Sequence, residues 1–288
     1  MLVDSMQIGY NGRKTKERKQ VWNMDAYSGF AALYDMFMDN IPYEEWGQYL
    51  VGLLKEYQVD QGIIAELGCG TGKITELLAM EGYDMIGIDN SEEMLQIARE
   101  KLLAYEENDK RKNILYLLQD MREMELYGTV HAVVSICDSL NYITEEEDLL
   151  QVFRLVNNYL EPQGLFIFDL NTEYKYSEVM GDRNICENRE NASFIWENYY
   201  YPVEKINEYD LTIYAEADNG LYERMEENHF QKAYSLDQIQ SLLEKAGMEY
   251  VTAYDAFSKE APREDSERIY VIAREKYQEG KSYAYIEE

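Results

Sequence analysis

The chain has 288 residues and carries 27 Lys and Arg against 56 Asp and Glu, a formal net charge of -29. That length suits one large α/β domain, or one domain with a sizeable insertion, and so acidic a surface repels phosphate backbones and disfavours nucleic-acid partners. Three scattered cysteines, Cys69, Cys137 and Cys186, form no CxxC or Cys/His cluster, so neither a zinc site nor a disulfide framework is expected and a reducing cytoplasm fits best.

Residues 1–24 read as a polar leader. They hold no apolar signal-peptide core, and the basic run from Arg13 to Lys19 reads as frayed chain rather than a nucleic-acid arm. No apolar run approaches the roughly 18 to 20 residues of a membrane span. From 25 to 56, Phe30, Leu33, Tyr34, Phe37 and Met38 recur at helical spacing. "NIP" at 40–42 breaks that pattern and "YEEWGQYLVGLLKEY" resumes it.

From residue 62 short apolar runs alternate with longer amphipathic ones. "GIIAEL" predicts a strand, "KITELLAMEG" a helix ended by Gly82, and "DMIGID" a second strand. "SEEMLQIAREKLLAY" predicts a helix with Ser91 as N-cap. "NILYLLQD" and "HAVVSICD" predict strands three and four, and "EEEDLLQVFRLVNNYLEPQG" a helix stopping at Pro162 and Gly164, before the strand "LFIFDL". This β-α-β-α order implies a mostly parallel sheet with helices on both faces. These elements, with the N-terminal helices, form a unit over 25–171.

Residues 172–232 differ: they are acidic and aromatic, and "ASFIWENYYYPV" and "YDLTIYAEADNGLYERMEENHF" alternate with period two. "DNG" at 218–220 signals a hairpin, so this stretch reads as an antiparallel insertion. The core resumes over 233–277, with helix "SLDQIQSLLEKAG" and closing strands "EYVTAYDAF" and "ERIYVIARE". Residues 278–288 read as a loose tail.

The stretch "AELGCGTGK", Ala65 to Lys73, turns from a strand into a helix through three glycines. Gly68 and Gly70 let the backbone approach a ligand without a Cβ clash, and Gly72 lets the next helix pack closely. Ile74 stands where a P-loop needs Ser or Thr, which excludes a P-loop. The third glycine comes one residue too early for a dinucleotide fingerprint. A tight structural turn is the remaining alternative. Asp89 ends the next strand, where a carboxylate accepts both ribose hydroxyls of a nucleoside. Asp120 ends the third strand, where it accepts from an adenine amine or sits as a surface acid. "CDSLNY", Cys137 to Tyr142, lies past the fourth strand, at the sheet edge where open α/β folds bind ligands.

These residues, with "GIDNSEEML", "LLQDM", "CDSLNYI" and "LFIFDLN", resemble those of class I S-adenosylmethionine-dependent methyltransferases. The resemblance implies a Rossmann-like α/β fold: a seven-stranded, mostly parallel sheet with a closing antiparallel hairpin and, here, a small antiparallel β insertion. The stretch "FAALYDMFMDNIPYEEW" resembles small bacterial members related to methyltransferases of sugar amines and other small metabolites. The resemblance places Glu66 near the methionyl amine, and Gly68 and Gly70 beneath the cofactor. It puts Asp89 on the ribose with Asn90 beside it, Asp120 and Met121 flanking the adenine, and Cys137 and Asp138 at the methionyl end. Tyr34, Tyr43 and Trp46, with Tyr27 a further candidate, would close over the methionine; ordinary helix packing is the equal alternative.

S-adenosylmethionine brings an activated methyl group, so the protein must align the nucleophile, exclude water and, if needed, take a proton. Asp138, Asn141 and Tyr142 could bind an acceptor amine or hydroxyl, or form a structural turn. His229 could act as base or orient the acceptor if the insertion folds over the strand ends; otherwise it is a solvated strand histidine. His131, at the start of the fourth strand and away from its carboxyl end, reads as structural or exposed. The insertion would wall the acceptor pocket. The expected activity is methyl transfer to N or O of a small molecule in the cytoplasm, with no membrane partner. A tRNA or rRNA methyltransferase and a non-catalytic S-adenosylmethionine-binding protein are the alternatives.

Overall fold

The computed structural model describes residues 30–106, 113–217 and 219–276. The leader, Tyr27, Asp218 of the expected hairpin turn and the tail from Gln278 lie outside the described residues. Two helices come first, α1 (Phe30–Phe37) and α2 (Tyr43–Glu56), separated at the "NIP" break. The core follows as β1 (Ile63–Leu67), α3 (Lys73–Met80), β2 (Asp84–Asp89), α4 (Glu92–Glu106), β3 (Ile114–Leu118), β4 (Val130–Ser135), α5 (Glu146–Tyr159) and β5 (Leu160–Asn171). The insertion supplies β6 (Asn184–Asn188), β7 (Ala192–Tyr201), β8 (Ile206–Glu216) and β9 (Tyr222–Lys232). The core resumes with α6 (Leu236–Lys245), β10 (Met248–Asp255) and β11 (Arg268–Glu275).

One seven-stranded sheet runs β10-β11-β5-β4-β1-β2-β3. The pairs from β5 to β3 are parallel, and β11 pairs antiparallel with both β5 and β10. The strands are apolar on both faces because helices cover both. Ala65, Val133, Phe166, Phe168 and Val271 pack toward α5 and α6. Their neighbours Ile64, Ala132, Val134, Ile167 and Ile272 pack toward α2 and α3. This is the period-two alternation of a strand buried on each side.

Local chemistry sets the helix ends. The Ser91 hydroxyl accepts from the Met94 N–H at 3.3 Å. Ser235 and Gln238 form a reciprocal capping box at the start of α6. The helix α5 stops at Tyr159, earlier than Pro162 and Gly164 suggested. Leu160 is already extended and bridges to Val130, and the register shifts before Ala132 pairs with Leu165. A proline three residues into this segment marks the strand's irregular start, not the helix stop.

The insertion folds as a separate antiparallel sheet, β6-β7-β8-β9. Its inner face presents Phe194, Tyr209, Leu211 and Ile213, which pack with Leu33 and Phe37 of α1. The insertion therefore docks on the N-terminal helix, above the carboxyl ends of the core strands. Strand β6, "NICEN", is not foreshadowed by the sequence pattern. It is short, polar and at the sheet's edge, so it carries no apolar alternation.

Candidate functional site

The loops after β1, β2, β3 and β4 and the inner face of the insertion surround one cavity of about 510 Å³. Small-molecule sites commonly occupy roughly 300–1,000 Å³.

The glycine turn forms its floor. The N–H groups of Gly68 and Cys69 both donate to the Ile88 carbonyl, at 2.8 and 3.0 Å. All three glycines have positive φ, 70°, 54° and 80° for Gly68, Gly70 and Gly72. A Cβ on Gly68 would come within 2.5 Å of the Ser139 hydroxyl, and one on Gly72 would strike the Tyr116 hydroxyl. A Cβ on Gly70 meets nothing within 4 Å; Gly70 lines the cavity instead. One glycine admits the loop after β4, one admits β3, and one leaves room for a ligand.

Asp89 locks this turn. Its Oδ2 accepts from the Gly70 N–H at 2.7 Å and its Oδ1 from the Ser91 N–H at 2.9 Å. Burial raises its pKa against these hydrogen bonds. Glu66 is buried beneath the turn, where its carboxyl accepts the Thr75 hydroxyl. Burial raises its pKa to about 8.

The loop after β4 is held in an uncommon shape. Cys137 and Asp138 are consecutive left-handed non-glycine residues, φ 65° and 54°. Asp169 of β5 secures both: it accepts from the Cys137 N–H at 3.2 Å and the Asp138 N–H at 2.8 Å. Arg268 of β11 bonds Asp169 and also donates to Asp138 Oδ1 at 2.7 Å. Gln231 of β9 donates to Asp138 Oδ2 at 2.7 Å. Asp138 is thus tied to the core on one oxygen and to the insertion on the other.

The insertion supplies the roof. The Tyr142 and Tyr209 hydroxyls meet at 2.5 Å. The Tyr209 ring stacks on Trp196, with centroids 4.1 Å apart, and on His229 at 4.6 Å. Burial lowers the His229 pKa, which keeps the imidazole neutral. Tyr34 and Tyr43 line the cavity beside Cys137 and hydrogen-bond each other. The helix carrying Tyr34 is pinned to the glycine turn: the Thr71 hydroxyl donates to Asp35 at 2.7 Å, and Lys101 pairs with the same carboxylate.

Most residues singled out in the sequence meet here. Tyr34, Tyr43, Glu66, Gly68, Gly70 and Asp89 line the cavity, as do Asn90, Asp120, Met121, Cys137, Asp138, Tyr142 and His229. Asp120 is not an open acceptor, because Arg122 bonds both its oxygens and holds its carboxyl below the usual range. His131 is structural, its Nδ1 accepting from the Ile63 N–H at 3.1 Å.

Two expectations are corrected. Trp46 is not a cavity residue: it is buried, stacked on Phe257 at 5.3 Å, with the Arg268 guanidinium 5.3 Å from its ring centroid. Asn141 does not face an acceptor. It is fully buried, and its amide donates to the carbonyls of Lys232 at 2.8 Å and Asn171 at 3.2 Å and accepts from the Asn171 N–H. It fastens the end of the insertion to the core. Sequence reasoning missed Asp169, Arg268 and Gln231. For Asp169 and Arg268 the available signal was charge inside otherwise apolar strands, "LFIFDLN" and "ERIYVIARE"; Gln231, neutral and in the largely polar strand β9, offered none.

Comparison with known proteins bears on the same site. Residues 64–164 match the family model described as a methyltransferase domain. A protein of Geobacillus sp. (strain WCH70), described without a substrate as a methyltransferase, is 36% identical over 250 residues, covering 86% of this chain and 99% of that one. The crystal structure of an S-adenosylmethionine-dependent methyltransferase from Clostridium acetobutylicum ATCC 824 superposes with a TM-score of 0.75 at 26% identity, over 85% of this chain and 97% of that one. The fold is also that of CalS10, an amino pentose methyltransferase from Micromonospora echinaspora solved with S-adenosylmethionine bound, at a TM-score of 0.65 and 13% identity, over 86% and 98% of the two chains.

Proposed function

Because this chain belongs to the class I S-adenosylmethionine-dependent methyltransferases, we propose that it methylates a small molecule at nitrogen or oxygen in the cavity between its glycine turn and its insertion. The observation that carries this reading is the continuity of that cavity. The same space touches the turn at Gly70 and Asp89 and the aromatic roof at Tyr209 and His229.

The residues present fit the cofactor. Gly70 leaves empty the space that any side chain would occupy. Asp89, ordered by two backbone N–H groups, would accept from ribose hydroxyls. Glu66 supplies a buried acid for the methionyl amine, with Tyr34 and Tyr43 enclosing that end. Met121, with the Arg122-bound Asp120 beside it, would flank the adenine from the loop after β3. When bound, S-adenosylmethionine supplies a methyl group already activated for transfer by its sulfonium.

The chain's own work is alignment and exclusion of water. The Asp169, Arg268 and Gln231 contacts fix the loop at Cys137 and Asp138. Tyr142, Tyr209 and His229 form the polar tips of the acceptor half, and Phe194, Leu211 and Ile213 keep its walls dry. His229, neutral and next to both tyrosines, is the group placed to receive a proton.

Calorimetric titration of the protein with S-adenosylmethionine, its demethylated product and NAD tests the reading. Binding of the first two without NAD is expected. A folded protein that binds neither would overturn it.

A further inference from the structure

The acceptor half of the cavity has a one-sided charge pattern. Trp196, Tyr209, His229, Leu211, Ile213 and Tyr142 form its walls. Among the described residues, no lysine or arginine lines this half. The two cationic side chains on the cavity surface, Lys73 and Arg122, stand with the cofactor-side loops, one opening α3 and one following β3. Arg122 is already paired with Asp120 and Asp148. Arg268, below the floor, is held by Asp138 and Asp169.

Negative groups stand close instead. Asp138 lines the cavity. Glu227 lies two residues before His229 on the same face of β9, its carboxylate 4.0 Å from the imidazole Nε2. Burial and the nearby Glu93 of α4 raise the Glu227 pKa, so acids from two elements meet at this rim. An acceptor bearing carboxylate or phosphate would lose hydration here with no cation to replace it, and would face like charge at low dielectric.

The proton-handling groups narrow the nucleophile. A hydroxyl needs a base strong enough to take its proton as it attacks. Asp138 already accepts on both oxygens, from Arg268 and Gln231. Burial pushes the Tyr142 and Tyr209 phenols up, which keeps them protonated. The His229 imidazole is neutral but weakly basic. An amine attacks as the free base, formed when its ammonium loses a proton to water, so no side chain has to take a proton during the attack itself, as it must for a hydroxyl.

We infer that the acceptor is an amine on an uncharged ring or apolar body, without carboxylate or phosphate; this rests on the methyltransferase reading above. The amine lone pair forms the new N–C bond as the methyl–sulfur bond breaks, and that electron pair leaves with sulfur. The positive charge passes to nitrogen, and the methylated ammonium keeps its proton or releases it to water.

The test uses matched pairs: tyramine and tyrosine, phenethylamine and phenylalanine, glucosamine and glucosamine 6-phosphate, with tyrosol as the hydroxyl analogue of tyramine. Each is titrated calorimetrically into protein saturated with the demethylated cofactor product, then assayed for methylated product with S-adenosylmethionine. The uncharged-bodied amines are expected to bind about tenfold or more tighter than their anionic partners, a difference of about 1.4 kcal/mol, and to be the members methylated. Glu227→Lys, at a side chain 41% exposed, is expected to shrink that preference several-fold. Tighter binding or faster methylation of the anionic members or of tyrosol, or binding of no member, overturns the inference and leaves the methyltransferase reading standing. Failure to saturate the protein with the demethylated product overturns that reading instead.

Discussion

The hydroxyls of Tyr142 and Tyr209 lie 2.5 Å apart, one on the loop after β4 and the other in the middle of β8. The contact joins the cofactor-binding core to the insertion directly over the cavity. Because both phenols stay protonated, one donates and the other accepts, and neither alone can keep the bond. Tyr142→Phe and Tyr209→Phe are each expected to raise the acceptor KM several-fold, from a hydrogen bond of about 1 kcal/mol. The double variant should cost little more than either single one. Steady-state kinetics on all four proteins read the coupling; strict additivity would show that the two hydroxyls act apart.

The glycines of the turn should fail in different ways. Gly72→Ala drives a methyl into Tyr116 at a left-handed position, so it should lower stability by about 1–3 kcal/mol. Tyr116→Phe should recover part of that loss by removing the struck hydroxyl. Gly70→Ala meets open space and should incur mainly the backbone strain of φ 54°, while cofactor binding falls sharply. Thermal unfolding and calorimetric binding on the same samples separate the two effects.

Asp89→Ala should weaken S-adenosylmethionine binding about 10- to 100-fold, as expected for loss of charge-assisted hydrogen bonds of roughly 1.5–3 kcal/mol. The variant removes the expected ribose acceptor and also frees the Gly70 and Ser91 N–H groups that order the turn. Asp89→Asn keeps one accepting oxygen and should fall between. Unchanged affinity in the alanine variant would remove Asp89 from the site.

The parts of this site legible in the sequence are those coded locally. A strand, three glycines and a helix lie close together in the chain, and Asp89 ends the adjacent strand, so both could be placed without tertiary knowledge. Period-two alternation likewise disclosed β7 to β9. Asn141 and Trp46 were misplaced because facing is a tertiary property. Asn141 turns inward since the carbonyls it satisfies lie at Asn171 and Lys232, 30 and 91 residues away. Trp46 sits on a helix whose apolar stripe is broad, and only the approach of Phe257 and Arg268 decides which side of it is filled. The Asp169–Arg268 pair depends on the antiparallel register of β11 on β5, which sets Arg268 opposite Asn171. No short window of sequence contains that register.

Arg268→Met should be strongly destabilising, by about 3–5 kcal/mol, because it leaves the fully buried Asp169 without its cation. Pairing it with Asp169→Asn should restore much of the stability, since a neutral amide tolerates burial better than an orphaned carboxylate. The restored protein should still bind cofactor and acceptor poorly. The substituted amide has one accepting oxygen, whereas the Asp169 carboxylate uses both of its own, for the Cys137 and Asp138 N–H groups. Denaturant unfolding with binding measurements would show this split; full recovery of binding would make the pair a stability element only.

Glu66 should make cofactor binding proton-linked. Its pKa rises from the ordinary 4.5 to about 8, chiefly through burial. A carboxyl raised in the folded state holds its proton more tightly folded than unfolded. Its contribution to the stability of the ligand-free protein is therefore fully present below pH 4.5 and lost as pH rises toward about 8. A cationic methionyl amine beside it favours the carboxylate, so binding near pH 7 should release up to about one proton from Glu66. Calorimetry in buffers of different ionisation enthalpy measures that release. Glu66→Gln should abolish it, flatten the decline of Tm with pH in the ligand-free protein, and weaken binding most on the alkaline side, where the wild-type carboxyl is charged. A proton count that Glu66→Gln leaves unchanged would place the amine elsewhere in the cavity.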